Sequence, residues 1–487
     1  MRSITSTLSA AFLMATALTA TAADFRDANA PIQHVLLVSI DGFHAEDLSR
    51  FVAMHPQSTL ATLTGHGTTY AEARVPVPSD SFPGILSLVT GGTPKSTGVM
   101  YDDSFDPALS PAGSDCKTTG ADVVLDEAAD VNDNDRNTTL DEKKLPRNPA
   151  KGCAPFYPHE YLRVNTIFEV VKAAGGRTAW ADKHPAYDLL NGPSGKGIDD
   201  LFVPEINADG TTDSVAKTES YDDTHVAAIV NAIAGHDHAG SGSFPAPTLM
   251  GLNFQAVSVA QKLPGVGYTD AAGTPSAGLE DAIEHTDASL AKLVTALDSA
   301  KILGKTLVVI TAKHGQSPVD PAARKIVDKK LLAKIIKDAA PGGVTHITED
   351  TAAYIWLKDH KDTDSVVKAL TDHSADVGSP KLYVGEAMLA FFNDATKDGR
   401  MPDIMIQPVE GVIYSKATAT KIAEHGGSLD HDRHVALLVA GPGMTANTVA
   451  APVATTSVAA TIITALGLNP DDLQAVKAEG TKPLPVK

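Results

Sequence analysis

The sequence predicts an α/β protein: a mostly parallel sheet flanked by helices, with a polar, disulfide-linked insertion and a small cap subdomain. Three observations carry this. Short apolar runs recur at 34–43 ("HVLLVSIDGF"), 177–184 ("RTAWADKH"), 247–255 ("PTLMGLNFQ"), 306–315 ("TLVVITAKHG") and 434–443 ("HVALLVAGPG"). Each is bounded by polar residues or glycine, as strands buried on both faces are. Helical periodicity fills the gaps between them, so strands alternate with helices.

Taken in order, the chain opens with Arg2, an apolar stretch centred on Ala10 to Leu18, and the small residues Ala20-Thr21-Ala22. That is a secretory signal pattern over 1–23, with cleavage near Ala22 or Ala23. The predicted location is periplasmic or secreted. No later run reaches the roughly 18 apolar residues that span a bilayer. The first strand then ends on Asp41-Gly42. Ser81 precedes Phe82-Pro83 and the apolar run Ile85 to Val89, which is how a helix N-cap reads. A hydroxyl at that place either caps the helix or faces an anion at its positive end.

Residues 101–159 are polar, rich in Asp, Asn and Pro, and read as an insertion. They hold the only two cysteines, Cys116 and Cys153, which an oxidising compartment would pair. The stretch 130–141 nearly matches a calcium loop, with Asp130, Asn132, Asn134 and Asp141 at ligand positions. Asp135 stands where glycine is needed, so a solvated loop is the expected reading and calcium the weaker one.

A helix at 166–176 precedes the strand "RTAWADKH", where Asp182 and His184 follow the apolar residues. Leu279, Ile283, Leu290, Leu293 and Leu297 share one helical face. Residues 329–415 carry helix and strand signals of their own and form the expected cap. The main domain is then 34–328 plus 416–470.

The formal net charge of −19 excludes capture of nucleic acid by general electrostatics. It leaves room for a small anion at a local positive site. No G-x-G-x-x-G follows the first strand, which argues against a dinucleotide-dependent oxidoreductase.

In parallel sheets, functional groups collect beyond the carboxyl ends of the strands. Asp41, Asp182, His184 and His314 are all at such ends. Ser81 with "LVTGG", His314-Gly315 and "EHGG" (424–427) follow Asp41-Gly42 in that order. This ordered set resembles the alkaline phosphatase superfamily, in its type I phosphodiesterase/nucleotide pyrophosphatase branch. "AWADKHPAYD" (179–188) and the late helix before "LGLNP" are also similar, so the resemblance covers roughly His34 to Pro470.

The resemblance implies two zinc ions, a Thr or Ser nucleophile and a covalent phosphoryl or nucleotidyl intermediate. Asp41, Ser81 and His314 match ligands of one metal, Ser81 matches the nucleophile, and His425 matches a ligand of the second. The sequence also departs from the branch. Lys313 replaces an aspartate beside His314, and an ammonium does not bind metal while protonated. Ser258 and Gln261 stand near the places of an Asp and a His, and Gly84 replaces an asparagine. Asp430, His431, Asp432 and His434 are further metal-capable residues.

Three readings of Lys313 stay open. It replaces a metal and binds phosphate, or it pairs with Asp41 in an inactive descendant, or it is solvated. The expected protein is therefore an exported hydrolase of phosphodiesters or phosphomonoesters, acting on a small phosphate ester with one or two divalent ions, zinc by resemblance. Sulfate and phosphonate esters stay open. The alternative is a weak or inactive member that binds an anionic ligand or an envelope partner.

Overall fold

The computed structural model describes residues 31–485 apart from 133 and 137. The expected signal peptide lies outside these residues. The main sheet has eight strands. In chain order they are β1 (His34–Ile40), β2 (Gly67–Tyr70), β3 (Thr178–Ala181), β4 (Asp200–Phe202), β5 (Leu249–Phe254), β6 (Thr306–Thr311), β7 (Leu438–Ala440) and β8 (Asn447–Val449). Their spatial order is β8-β2-β7-β6-β1-β5-β3-β4. From β6 through β1, β5 and β3 to β4 every pairing is parallel. β7 is antiparallel to both β6 and β2. Its apolar run promised a buried strand but carries no information on direction.

The central strands are wholly buried because helices cover both faces of the sheet. One face packs Val35, Leu37 and Val309 against Phe82, Ile85, Leu86, Ile462 and Ile463. The other packs Leu36, Val38, Met250 and Ile310 against Ile229, Ile283, Leu290 and Leu297. The helix Ser81–Thr90 is buried at every residue. That explains its almost uninterrupted apolar sequence: it crosses the core rather than floating on its surface.

The insertion is more than a loop. It forms a hairpin, Asp103–Asp106 with Ala121–Val124, and adds Leu109, Val123, Leu125 and Phe156 to the main core. Cys116 and Cys153 are bonded to one another across 37 residues. In the chain-entropy model such a link stabilises by about 4 kcal/mol. Its presence is in keeping with an extracytoplasmic protein. No helix among the described residues is long and apolar enough to cross a membrane.

Within the expected cap, a second sheet orders Val344–Glu349, Ala353–Leu357, Ile404–Gln407 and Lys381–Val384 antiparallel. Leu332, Ile336, Ile355, Val366, Leu370 and Tyr414 form its own core. His346 fastens this sheet to the insertion, 3.0 Å from Asp122 and 3.3 Å from Asp103. Burial pulls its imidazole down, but the two carboxylates prevail and raise it to about 9. The contact therefore stabilises fully below the unfolded value of about 6.5 and is lost as pH rises through 9. Wild type should melt above His346→Gln at about pH 6, and the gap should close by about pH 10. A gap that stays constant over this range would remove His346 from the account.

Candidate functional site

The sheet register assembles the site. Ile40 pairs with Phe254 and Ser39 with Thr311, so Asp41, Gln255 and Lys313 leave the same sheet edge on neighbouring strands. Ala181 pairs with Leu252, which brings Asp182 and Lys183 alongside. Helix Ser81–Thr90 aims its first turn at this edge. Asp80 caps it, accepting from the Phe82 amide at 3.1 Å.

Asp41 is fully buried and well supplied with donors. Asn253 Nδ2 donates to Oδ1 at 2.8 Å, and Gln255 Nε2 to Oδ2 at 2.6 Å. Lys183 Nζ donates to Oδ2 at 3.3 Å, and Lys313 Nζ lies 3.6 Å from it. Burial alone would raise the Asp41 carboxyl, but the two ammonium groups hold it well below the usual carboxylate range.

Ser81 Oγ lies 3.3 Å from His314 Nε2 and accepts from Lys183 Nζ at 3.0 Å. His314 Nδ1 is 2.8 Å from the Gly315 carbonyl, which can only accept. Nδ1 therefore carries the hydrogen, and Nε2 of the neutral ring presents a lone pair to the serine hydroxyl. This is a serine–histidine pair with its tautomer fixed by the backbone.

Lys183 is the residue that sequence reasoning missed. Its Nζ sits among Asp41 Oδ2, Ser81 Oγ and Gln255 Oε1, the last at 3.4 Å. Burial lowers its affinity for a proton, but Asp41, Asp182 and Asp80 outweigh that and raise it. The only sequence signal was a lysine directly after an apolar strand, between Asp182 and His184.

Lys313 is fully buried, which excludes the solvated reading. It donates to Asp182 Oδ1 at 3.1 Å and to the Tyr187 hydroxyl at 2.6 Å, and it lies 4.4 Å from the centre of the Tyr187 ring. Burial pushes its ammonium down, and Asp182 and Asp41 offset only part of that. Asp182 also accepts from Trp180 Nε1 at 3.0 Å, so it anchors the strand end as well. Gly84 has a matching cause. A Cβ there would come 2.0 Å from the Lys313 carbonyl oxygen, so the helix approaches β6 too closely for any side chain.

Family resemblance implied metal, so the donors must be tested. Asp41, Ser81 and His314 converge, but the Lys183 ammonium stands among them and Lys313 replaces a carboxylate. The second position is poorer. His425 stacks on His314 with ring centres 3.6 Å apart, and its Nδ1 has no hydrogen-bond partner. Burial and the neighbouring His314 hold it well below its ordinary value. The Ser258 hydroxyl donates to Gln316 Oε1 at 2.9 Å, and the Gln261 amide donates to the Gly42 carbonyl at 2.9 Å. These residues do not fit a two-ion centre.

The dense run at 430–434 disperses. Asp430 pairs with Arg74, His434 with the Ala71 carbonyl, and Asp432 accepts from Thr351 and the Gly427 amide. His431 pairs with Glu410. They form no metal cluster among the described residues. Of the near-calcium loop, Asp130 is buried while Asn132 and Asn134 are exposed, so their side chains do not surround one ion.

A cavity of about 390 Å³ reaches the site through Lys183 and Gln255, lined also by His184, Lys262, Lys421 and Glu424. Glu424 binds Lys262 at 2.6 Å and Lys421 at 2.7 Å. Three lysines face two glutamates, Glu127 and Glu424, so the wall is cationic within an acidic chain. A larger cavity, about 760 Å³, lies beside Glu46, Tyr70 and His434 and contains none of the residues around Ser81.

Residues 35–431 match the family model described as type I phosphodiesterase / nucleotide pyrophosphatase. A search of curated proteins gave no match. Among solved structures, the murine ectonucleotide pyrophosphatase / phosphodiesterase 5 is similar in fold, with a TM-score of 0.60 at 18% identity over 90% of this chain and 96% of that one. An inactive form of the murine protein in complex with AMP gives 0.61 at 18% identity with the same coverage. The human counterpart gives 0.57 at 17%, again over 90% and 96%.

Proposed function

Because this chain belongs to the type I phosphodiesterase / nucleotide pyrophosphatase family, a family of hydrolases whose members use divalent metal ions, we propose that it hydrolyses a nucleotide-type phosphate ester through Ser81. One observation carries the reading: the Ser81 hydroxyl stands between the His314 lone pair and the Lys183 ammonium at a buried helix start. Outside the cytoplasm, in a periplasm or secreted, such an enzyme would meet small phosphate esters.

The chemistry follows from those atoms. Ser81 gives its proton to His314 Nε2 as Oγ attacks phosphorus. His314 returns the proton to the departing oxygen, leaving a phosphoryl or nucleotidyl ester on Ser81. A water then gives its proton to His314 and attacks phosphorus, and the Ser81–phosphorus bond breaks with the proton restored to Oγ. Lys183 stabilises charge on the phosphorus oxygens. Lys313 neutralises Asp182 and helps to hold Asp41. It acts from behind, since its ammonium has no exposure.

A zinc-dependent version has some support in Asp41, Ser81 and His314, three donors for one ion once Lys183 withdraws. His425 then belongs to a second site without partners. Full-length protein assayed on a chromogenic phosphodiester, with and without a strong chelator, separates the versions. Turnover that survives the chelator supports the lysine site. Turnover lost to chelator and restored by zinc assigns the reaction to metal. No turnover with retained AMP binding makes the chain an inactive ligand-binding member.

A further inference from the structure

A second cluster lies where the insertion meets the main sheet. Glu127 and Asp130 come from the insertion. His184 follows strand β3 and Glu205 follows strand β4. One donor atom from each of Glu127, His184 and Glu205 lies within 4.8 Å of the others. His184 Nδ1 is 2.8 Å from Glu205 Oε2, and the Asn207 amide holds Glu205 Oε1 at 2.7 Å.

Asp130 supplies the independent observation. Its side chain is fully buried, and neither carboxylate oxygen accepts from an amide, ammonium or hydroxyl donor. It lies against Glu205, carboxyl to carboxyl. Its own backbone is firmly held, since Lys144 Nζ donates to its carbonyl at 2.6 Å and its amide donates to the Glu127 carbonyl at 3.1 Å. Asp130 brings no donor to Glu205, so where the two buried carboxyls meet they need either a shared proton or a cation. Glu127 adds a third carboxyl to the cluster. Glu127 and His184 also line the cavity beside Lys183, so the cluster is open on that side.

We propose that Glu127, His184 and Glu205, with Asp130 packed against Glu205, bind one divalent transition-metal ion that ties the insertion to the strand end bearing Lys183. One imidazole with carboxylates suits zinc, cobalt(II) or manganese(II) better than magnesium or calcium, which favour all-oxygen shells. The site is separate from Ser81 and stands whether or not that serine is the nucleophile.

The test is calorimetric titration of chelator-treated full-length protein with zinc, and with cobalt(II) as a spectroscopic probe. One equivalent should bind to wild type and to His314→Ala. It should also bind to His55→Ala, which removes the other, more exposed metal-capable group, His55 with Glu280 and Glu284. Affinity should fall by about 100-fold or more in Asp130→Asn and in Glu205→Gln. X-ray absorption of zinc-loaded wild type should show one imidazole per ion and does not depend on any variant folding. Two imidazoles would place the ion at His314 and His425 and overturn the proposal. So would unchanged affinity in both carboxamide variants. Absent binding to wild type, with Asp130→Asn melting higher, would assign a shared proton instead.

Discussion

Ser81→Ala lowers kcat/KM for a phosphodiester by about 10³-fold or more, the scale expected when a nucleophile that works as a unit with its base is removed. The loss should fall on kcat, because the lysines that line the cavity are untouched. Ser81→Thr keeps a hydroxyl at the same place and should retain activity. The alanine variant should also fail to form the covalent ester, which mass spectrometry of acid-quenched protein detects on the 81-containing peptide of wild type. Undiminished turnover in Ser81→Ala would remove the serine from the chemistry and leave His314 without a partner to deprotonate.

Lys183→Met lowers kcat by about 10²- to 10³-fold, comparable to losing one preorganised donor in a site closed to water. Methionine keeps an unbranched, mostly apolar side chain one atom shorter and removes the ammonium with its charge and hydrogens. Two further effects separate this from simple damage. Asp41 loses one of the two cations that hold it down, so its carboxyl titrates at higher pH than in wild type. A depressed carboxylate contributes stability above its unfolded value of about 3.9, which is lost as pH falls through the folded value. In Lys183→Met that acid loss should therefore be smaller and complete at a higher pH. The variant should also acquire affinity for zinc through Asp41, Ser81 and His314, because the ammonium no longer stands among them. Equal turnover and equal acid unfolding in wild type and variant would make Lys183 a bystander.

The sequence made the outline of the site readable because parallel strands deliver their last residues to one edge. Asp41 and His314 stood at strand ends and Ser81 at a helix cap, the family resemblance grouped them, and their side chains do converge. His425 also arrives, though stacked on His314 rather than surrounded by donors. Lys183 was invisible for a physical reason: a lysine after a strand is usually solvated, and only the register of β3 with β5 turns this one inward. The same limit hid the direction of β7, since apolarity along a strand does not depend on which way it runs. It also made 430–434 look like a metal cluster, although each side chain there turns to a different neighbour. Ser258 and Gln261, near the places of an Asp and a His, are both engaged in hydrogen bonds with the protein.

The position of Lys183 has a consequence for how the site meets its surroundings. A dissociable ion obeys mass action, so its occupancy falls on dilution or in competition with any other chelator in the medium. A cation attached through the chain is present at the same local concentration at every dilution. For an enzyme released among scarce and contested metals, the positive charge beside Asp41 and Ser81 would then be set by the chain itself.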